Sequence, residues 1–291
     1  MATNGAAGRN HEILRYLATG DYDPRHAAWP GNVFESGHAA RRDLTDALIA
    51  RVAARRRART RPAVAPVPSG DELRRFTRAK LAPMVCGLFP RVEHEAVLAA
   101  LETSVVILTE DNIEAVLRES AWLHTSWTLA NLYLGSIGGD LLADDAPRIV
   151  GLSEETTCYV STEYFRETDK FADFIVHEAA HIFHNCKRRT VGLREGRYRE
   201  FLLEIAFRKR ETFAYACEAW SRILELSKRA ATRIVLVEEF AAQRFAPDER
   251  VDSEELADIL REAARARNGW RRILNRCAPP PVARRRVALR L

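Results

Sequence analysis

Two histidines and a glutamate, His177, Glu178 and His181, stand in the order H-E-x-x-H within the stretch FADFIVHEAAHIFHNC at 171–186. On a helix, residues four apart lie one above the other on a single face, so both imidazoles can reach one small metal ion. Glu178 follows the first histidine directly, which puts its carboxylate beside the same point. Imidazole nitrogens are donors that Zn2+ takes, and a carboxylate beside metal-bound water can act as general base. With eight histidines and forty acidic residues in the chain, chance yields at most about 0.03 such patterns. A hydrogen-bonded pair of core histidines is the plainer alternative for the same residues.

The stretch predicts one unbroken helix. Thr168 and Asp169 are suitable N-caps, and neither Pro nor Gly interrupts the run to Cys186. Phe171, Phe174, Ile175, Ile182 and Phe183 give it a surface to bury. Polar groups on a buried helix must be paired or metal-bound, so the histidines need a partner. A catalytic zinc takes three protein ligands and leaves one position open, which requires a further donor from elsewhere.

A long helix is predicted from about 198 to 230, with EIAFRKRETFAYACEAW in its middle. It carries Glu200, Glu204, Glu211 and Glu218. Glu211 and Glu218 sit among small and apolar residues, where an unpaired carboxylate is costly. Glu211 is the first choice for the third ligand and Glu218 the alternative. Glu200 and Glu204 have basic neighbours and read as solvent-facing partners. His184, seven residues after His177, stands about 10.5 Å along the axis, too far to share one ion, and is expected behind the ligands or at the surface. Tyr215, one turn beyond Glu211, is a candidate hydrogen-bond donor to an oxyanion or an orienting partner for a ligand. Core packing is the plainer role for it. Tyr164, Tyr198 and Arg194 are further candidates for the donor.

Length and composition bound the elements around these residues. The chain of 291 residues suits one large domain or two small ones. Hydrophobic content of 47% and charged content of 29% are those of a globular protein. No apolar run is long enough for a membrane-spanning helix, and the N-terminus lacks the features of a secretory signal. Cys86, Cys158, Cys186, Cys217 and Cys277 are odd in number and dispersed, which argues against a disulfide framework. The cytoplasm is the compartment expected, with no membrane association. The net charge of +5 is concentrated in RVAARRRARTR at 51–61 and ARRRVALRL at 283–291. Such blocks can contact nucleic acid or an acidic partner. Neither is interleaved with aromatics, and a solvated helix face or tail accounts for them equally well.

In chain order, residues 1–68 read as a basic, partly helical appendage. It has a short helix at 11–18, the turn-rich DYDPRHAAWPGNVFESGH, and an Arg/Ala-rich helix over 42–59 with Leu44, Leu48, Ile49 and Val52 on one side. RPAVAPVPSG at 61–70 reads as a linker. Ser69 with Glu72 resembles a capping box for a helix that Pro83 curtails. Further helices are predicted at 92–102 and 111–124, and strands at 104–109, 127–137 and 148–152. The β-rich 156–165 comes just before the H-E-x-x-H helix. If exposed there, it could take an extended peptide as an added strand, although an ordinary structural strand needs no such role.

H-E-A-A-H on a helix, a preceding strand and an acid on a following helix resemble the zincin metallopeptidases, and their gluzincin branch in particular. RETFAYACEA is similar to a segment of the ImmA/IrrE-like intracellular peptidases in which a glutamate is the third zinc ligand. The resemblance covers about 156–220. It implies an α+β fold: a zincin-like domain over 69–250 with a small mixed β-sheet, an active-site helix and a following ligand helix. Residues 251–291 would then be a C-terminal helix and basic tail. It also implies Zn2+ held by His177, His181 and Glu211, Glu178 as catalytic base, and hydrolysis of a protein or peptide substrate. Thr212 departs from the small Ala expected after the ligand, no DNA-binding domain such as some of those proteins carry is evident, and the metzincin third histidine is lacking. Other readings are a catalytically idle metal-binding or interaction module and a nucleic-acid-associated regulator. A carboxylate-bridged di-iron site would need a second E-x-x-H. The other instance, Glu35 to His38, is expected in a glycine-containing turn.

Overall fold

The computed structural model describes residues 2–58, 68, 70–196, 199–243 and 249–280. Most of the expected linker, Ser69 of the expected capping box, Tyr198 and the basic tail lie outside these residues. The fold is α+β, mostly helical with one three-stranded mixed sheet. In chain order the elements begin with α1 (Ala2–Thr19), α2 (Val33–Ala58), α3 (Gly70–Leu88), α4 (His94–Glu102) and β1 (Val105–Ile107). Next come α5 (Ile113–Glu119), α6 (Leu123–Ser136), β2 (Gly151–Glu154), β3 (Thr157–Val160) and α7 (Phe174–Asn185). The last are α8 (Arg210–Leu226), α9 (Ala230–Ala242), α10 (Ser253–Arg265) and α11 (Gly269–Cys277). They form two compact units, each built from two stretches: 1–70 with 105–167, and 71–104 with 168–291.

In the first unit, α1 and α2 contribute to the core and are not an appendage. Tyr16, Leu17, Leu44, Leu48 and Val52 pack in one cluster with Trp127, Leu129 and Tyr133 of α6. The Tyr16 hydroxyl donates to the Leu123 carbonyl at 2.6 Å, and the Trp127 indole to the Leu17 carbonyl at 3.2 Å. Gly20 ends α1 at φ +77°, and a Cβ there would stand 2.9 Å from the Trp127 ring, so glycine serves both the backbone and the close approach. FESGH, expected as a turn, lies within α2, whose first turn is capped by the Asn32 side chain accepting from the Phe34 and Glu35 N–H groups. Of the basic block, Arg55 donates to the Asp140 carbonyl and Arg56 pairs with Glu110.

Two strand expectations are overturned here. Residues 127–137 fall largely in α6, whose Leu123, Trp127, Leu129, Ala130, Asn131, Leu132, Tyr133 and Leu134 are all buried. A helix covered on every side shows no 3.6-residue period, so in sequence it looks like a buried strand. Within 156–165 only β3 is strand. It runs parallel to β1 (Val106↔Tyr159) and antiparallel to β2 (Leu152↔Tyr159), which makes it the middle strand. Its main-chain groups are spent on both neighbours and cannot accept an added peptide. The strand expected at 148–152 appears three residues later as β2, and the helix expected over 111–124 stops at Glu119.

In the second unit, Pro83 does not end α3, which continues to Leu88. Leu81, Met84, Val85 and Leu88 are buried along it, and that burial outweighs the one hydrogen bond a proline removes. The long helix expected from 198 is only α8. The chain before it folds back on the end of α7: Leu203 N–H donates to the Phe183 carbonyl at 2.8 Å, and Leu202 N–H to the Cys186 carbonyl at 3.0 Å. Carbonyls at the end of α7 thereby gain partners, and buried Leu202, Leu203 and Ile205 anchor the turn. Arg188, part of an apparently basic loop, is buried instead. Its guanidinium takes both oxygens of Glu93, at 2.6 and 3.3 Å, and the Arg194 carbonyl at 2.8 Å. The expected C-terminal helix is two helices, α10 and α11, packed within this unit on α9 and α8. A Cβ at Gly269 would meet the Trp220 ring at 2.4 Å, and one at Gly87 the Trp270 ring at 2.2 Å, so α11 docks through two glycines. No described helix is long and apolar enough to cross a membrane.

Candidate metal centre

The H-E-x-x-H helix starts later than Thr168 and Asp169 suggested. Asp173 is the N-cap, with its side chain accepting from the Val176 N–H at 3.3 Å. Asp169 instead closes a preceding turn by accepting from the Phe171 N–H. From that start, His177, Glu178 and His181 all fall on buried positions of α7. Glu211 enters from the first turn of α8, which packs on α7.

His177, His181 and Glu211 each offer a ligand atom, and these atoms lie within 4.8 Å of one another. Nε2 of His177 stands 3.2 Å from Nε2 of His181. Oε2 of Glu211 is 3.5 Å from His181 Nε2 and 3.9 Å from His177 Nε2. Donors bonded at 2.0–2.2 Å to a tetrahedral zinc stand about 3.3–3.6 Å apart, so the three atoms nearly trace one face of such a tetrahedron. Among the described residues this is the one cluster of three or more potential metal-ligating side chains.

The tautomer of His177 makes the fit chemically pointed. Its Nδ1 lies 3.0 Å from Oε2 of Glu218. A carboxylate only accepts, so Nδ1 carries a proton and, in the neutral ring, Nε2 presents its lone pair to the cluster. That nitrogen faces His181 Nε2 and the Glu211 carboxylate, where a proton or a cation can be shared. Burial disfavours charge on His177, but the Glu218 hydrogen bond, with the charges of Glu218, Glu178 and Glu211, outweighs it and raises the pKa to about 9. Burial also pushes Glu211 upward, yet its hydrogen bond to His181 and the charges of His181, Arg250 and His177 bring it below the ordinary carboxylate value.

The surrounding shell sorts the remaining candidates. Glu218, the alternative third ligand, sits behind His177, and its Oε1 accepts the Asp173 N–H at 2.7 Å. His184 is buried behind His181, with its Nε2 3.4 Å from His181 Nδ1. Burial and the charges of His181 and Arg210 lower its pKa to about 3, so it stays neutral. Tyr215 lays its ring edge-on to His177, centroids 4.4 Å apart, and so restrains that imidazole. Arg250 reaches the outer oxygen of Glu211 at 3.3 Å. Glu200 pairs with Lys187 as expected of a surface acid, whereas Glu204 accepts the N–H groups of Glu200 and Phe201. Arg194 is exposed and Tyr164 belongs to the other unit. Glu35 and His38 are exposed on α2, with the Glu35 carboxylate accepting the Asn32 N–H.

Sequence reasoning missed Asp173, Lys80 and Arg250. Lys80 pairs with the buried Asp173 at 2.6 Å and with Glu225 at 2.7 Å. Nothing in the local sequence marks Lys80, which is remote from α7 in the chain. The part played by Glu218 was legible in principle, because it lies seven residues after Glu211 and so on the same helical face. Compared with known proteins, the chain matches no protein-family model, no curated sequence and no solved structure.

Proposed function

We propose that the chain is a zinc-dependent peptidase of the zincin type, acting on protein or peptide substrates. The observation that carries this reading is the convergence of His177, His181 and Glu211 on one point, with Glu178 on the same turn of α7. These three would hold the ion, which when bound acidifies a water and polarises a carbonyl. Glu178 takes the proton from the attacking water and hands it to the leaving amine. Glu218 holds the His177 imidazole in the tautomer that points Nε2 inward. Tyr215 packs on that ring and limits its rotation. Arg250 engages one oxygen of Glu211 and leaves the other facing the imidazoles.

Metal analysis of protein purified without chelator tests the centre, with one zinc per chain expected. Glu178→Gln should keep that zinc and lower hydrolysis by about 10²–10⁴-fold, the range that general acid–base groups contribute. The substrate is sought by comparing cleavage products across the proteome of cells carrying wild type or Glu178→Gln. A zinc-free preparation, or identical products from the two, would sink the proposal.

A further inference from the structure

The first unit carries an open groove of about 310 Å³ between the start of α2 and the residues leading into α6. Its apolar lining is unusually wet: Val33 is 81% exposed, Phe34 80% and Trp122 61%. Isolated apolar side chains on a surface need no explanation, but three large ones flanking one concavity do. Tyr22 and His26 line it as well, with their rings parallel and 5.8 Å apart. His26 is held in the left-handed region at φ +51°, which non-glycine residues rarely adopt and which clusters at binding sites. Its Nδ1 is buried with no hydrogen-bond partner.

Arg41 is the charged side chain of the lining, His26 and His38 add ring nitrogens, and no lining side chain among the described residues is acidic. Arg41 donates to the carbonyl oxygens of Ser120 and Ala121, which fixes its guanidinium at the wall, and no carboxylate among the described residues pairs with it. Glu35, the acid of the first turn of α2, has its carboxylate turned back onto the Asn32 N–H. Trp, Tyr and Arg together are the residue types that dominate binding energy at protein interfaces.

We propose that this groove docks a segment of another protein that presents an aliphatic or aromatic side chain beside a carboxylate. A second copy of the chain fits less well, because a two-fold contact would bring Arg41 against Arg41 with no lining carboxylate between them. A lipid surface fits less well too, since the exposed residues border a concavity and are not spread over one face of a helix. The proposal stands apart from the metal-centre reading, and its test involves no hydrolysis.

The test uses the full chain and fluorescein-labelled twelve-residue peptides of Gly and Ser with a central Phe-Asp, Leu-Asp, Phe-Lys or Ser-Asp pair. Fluorescence anisotropy should show saturable binding of the Phe-Asp or Leu-Asp peptide. The Phe-Lys and Ser-Asp peptides should bind at least tenfold more weakly. The double variant Phe34→Ser/Trp122→Ser should weaken Phe-Asp binding at least tenfold while keeping the wild-type thermal transition, because both side chains are largely exposed. Equal binding of wild type and double variant overturns the proposal, as does equal binding of Phe-Asp and Phe-Lys. It is likewise overturned if no peptide binds and the patch instead drives adsorption to phosphatidylcholine vesicles or self-association in sedimentation. Failure to bind any of these partners would overturn it too.

Discussion

The two units bury different kinds of polar group. In the first, the buried polar side chains are neutral: Ser36, Thr45, Ser120, Ser126, Asn131, Ser136, Ser161 and Thr162 among the described residues. In the second, Glu93, Asp173, His177, Glu178, His181, His184, Arg188 and Glu218 are all buried. Neutral hydroxyls and amides are satisfied cheaply by nearby carbonyls, as Asn131 is by Trp127. A buried carboxylate, imidazole or guanidinium loses far more hydration and persists only where partners are arranged for it. The first unit is therefore held mainly by apolar packing, while the second maintains a costly internal electrostatic network. Perturbed ionisable groups concentrate at functional sites, which is why the contrast points to α7 and α8.

The contrast can be broken first at the candidate metal centre. His181→Ala should abolish zinc binding, seen as loss of the single equivalent of metal, because two donors do not close the site. Persistence of one tightly held zinc would refute the ligand assignment. Arg188→Ala should cost up to about 3–5 kcal/mol in urea unfolding, since it removes the bidentate partner of buried Glu93 and leaves it the more distant, exposed Arg199 at 3.6 Å. Asn131→Ala in the first unit should cost less, about 1–3 kcal/mol, the penalty of neutral unsatisfied groups. Similar losses for the two would erase the distinction between the units. Glu218→Ala should weaken zinc affinity about 10–100-fold in competition with a chelating dye, with the stoichiometry unchanged.

A further effect concerns pH. Burial raises Asp173 from 3.8 to about 6, against the opposing influence of Lys80. An acid whose pKa is higher in the folded state binds more protons there than in the unfolded chain. Its contribution makes stability fall as pH rises from 3.8 to about 6 and leaves it level above that window. Urea midpoints measured across that range on metal-free protein should show this decline in wild type and a flatter profile in Asp173→Asn. An unchanged slope would mean that other groups carry it.

Much of the centre could be read from the chain because H-E-x-x-H is local: helical geometry alone brings residues four apart to one face. Glu211 was legible as an acid among small and apolar neighbours, but the same reasoning extended α8 back to 198 and missed the returning segment at its start. Periodicity failed for α6, where burial on every side removes the amphipathic signal. In α2 it did find the stripe of Leu44, Leu48 and Val52, but nothing local said that Tyr16 and Leu17 of α1 and the buried face of α6 would cover it. Pro83 misled because the penalty for a proline is local, whereas the burial that overrides it comes from distant helices.

By itself, then, the sequence determined the spacing of His177, Glu178 and His181 and the helical propensity that aligns them, both properties of a dozen consecutive residues. Only the tertiary structure decided that Glu211 faces the imidazoles while Glu218 stands behind His177. It alone also made β3 a middle strand and brought Lys80 to Asp173. Those are choices among groups far apart in the chain, and they are settled by which arrangement buries the apolar faces while leaving each buried charge a partner.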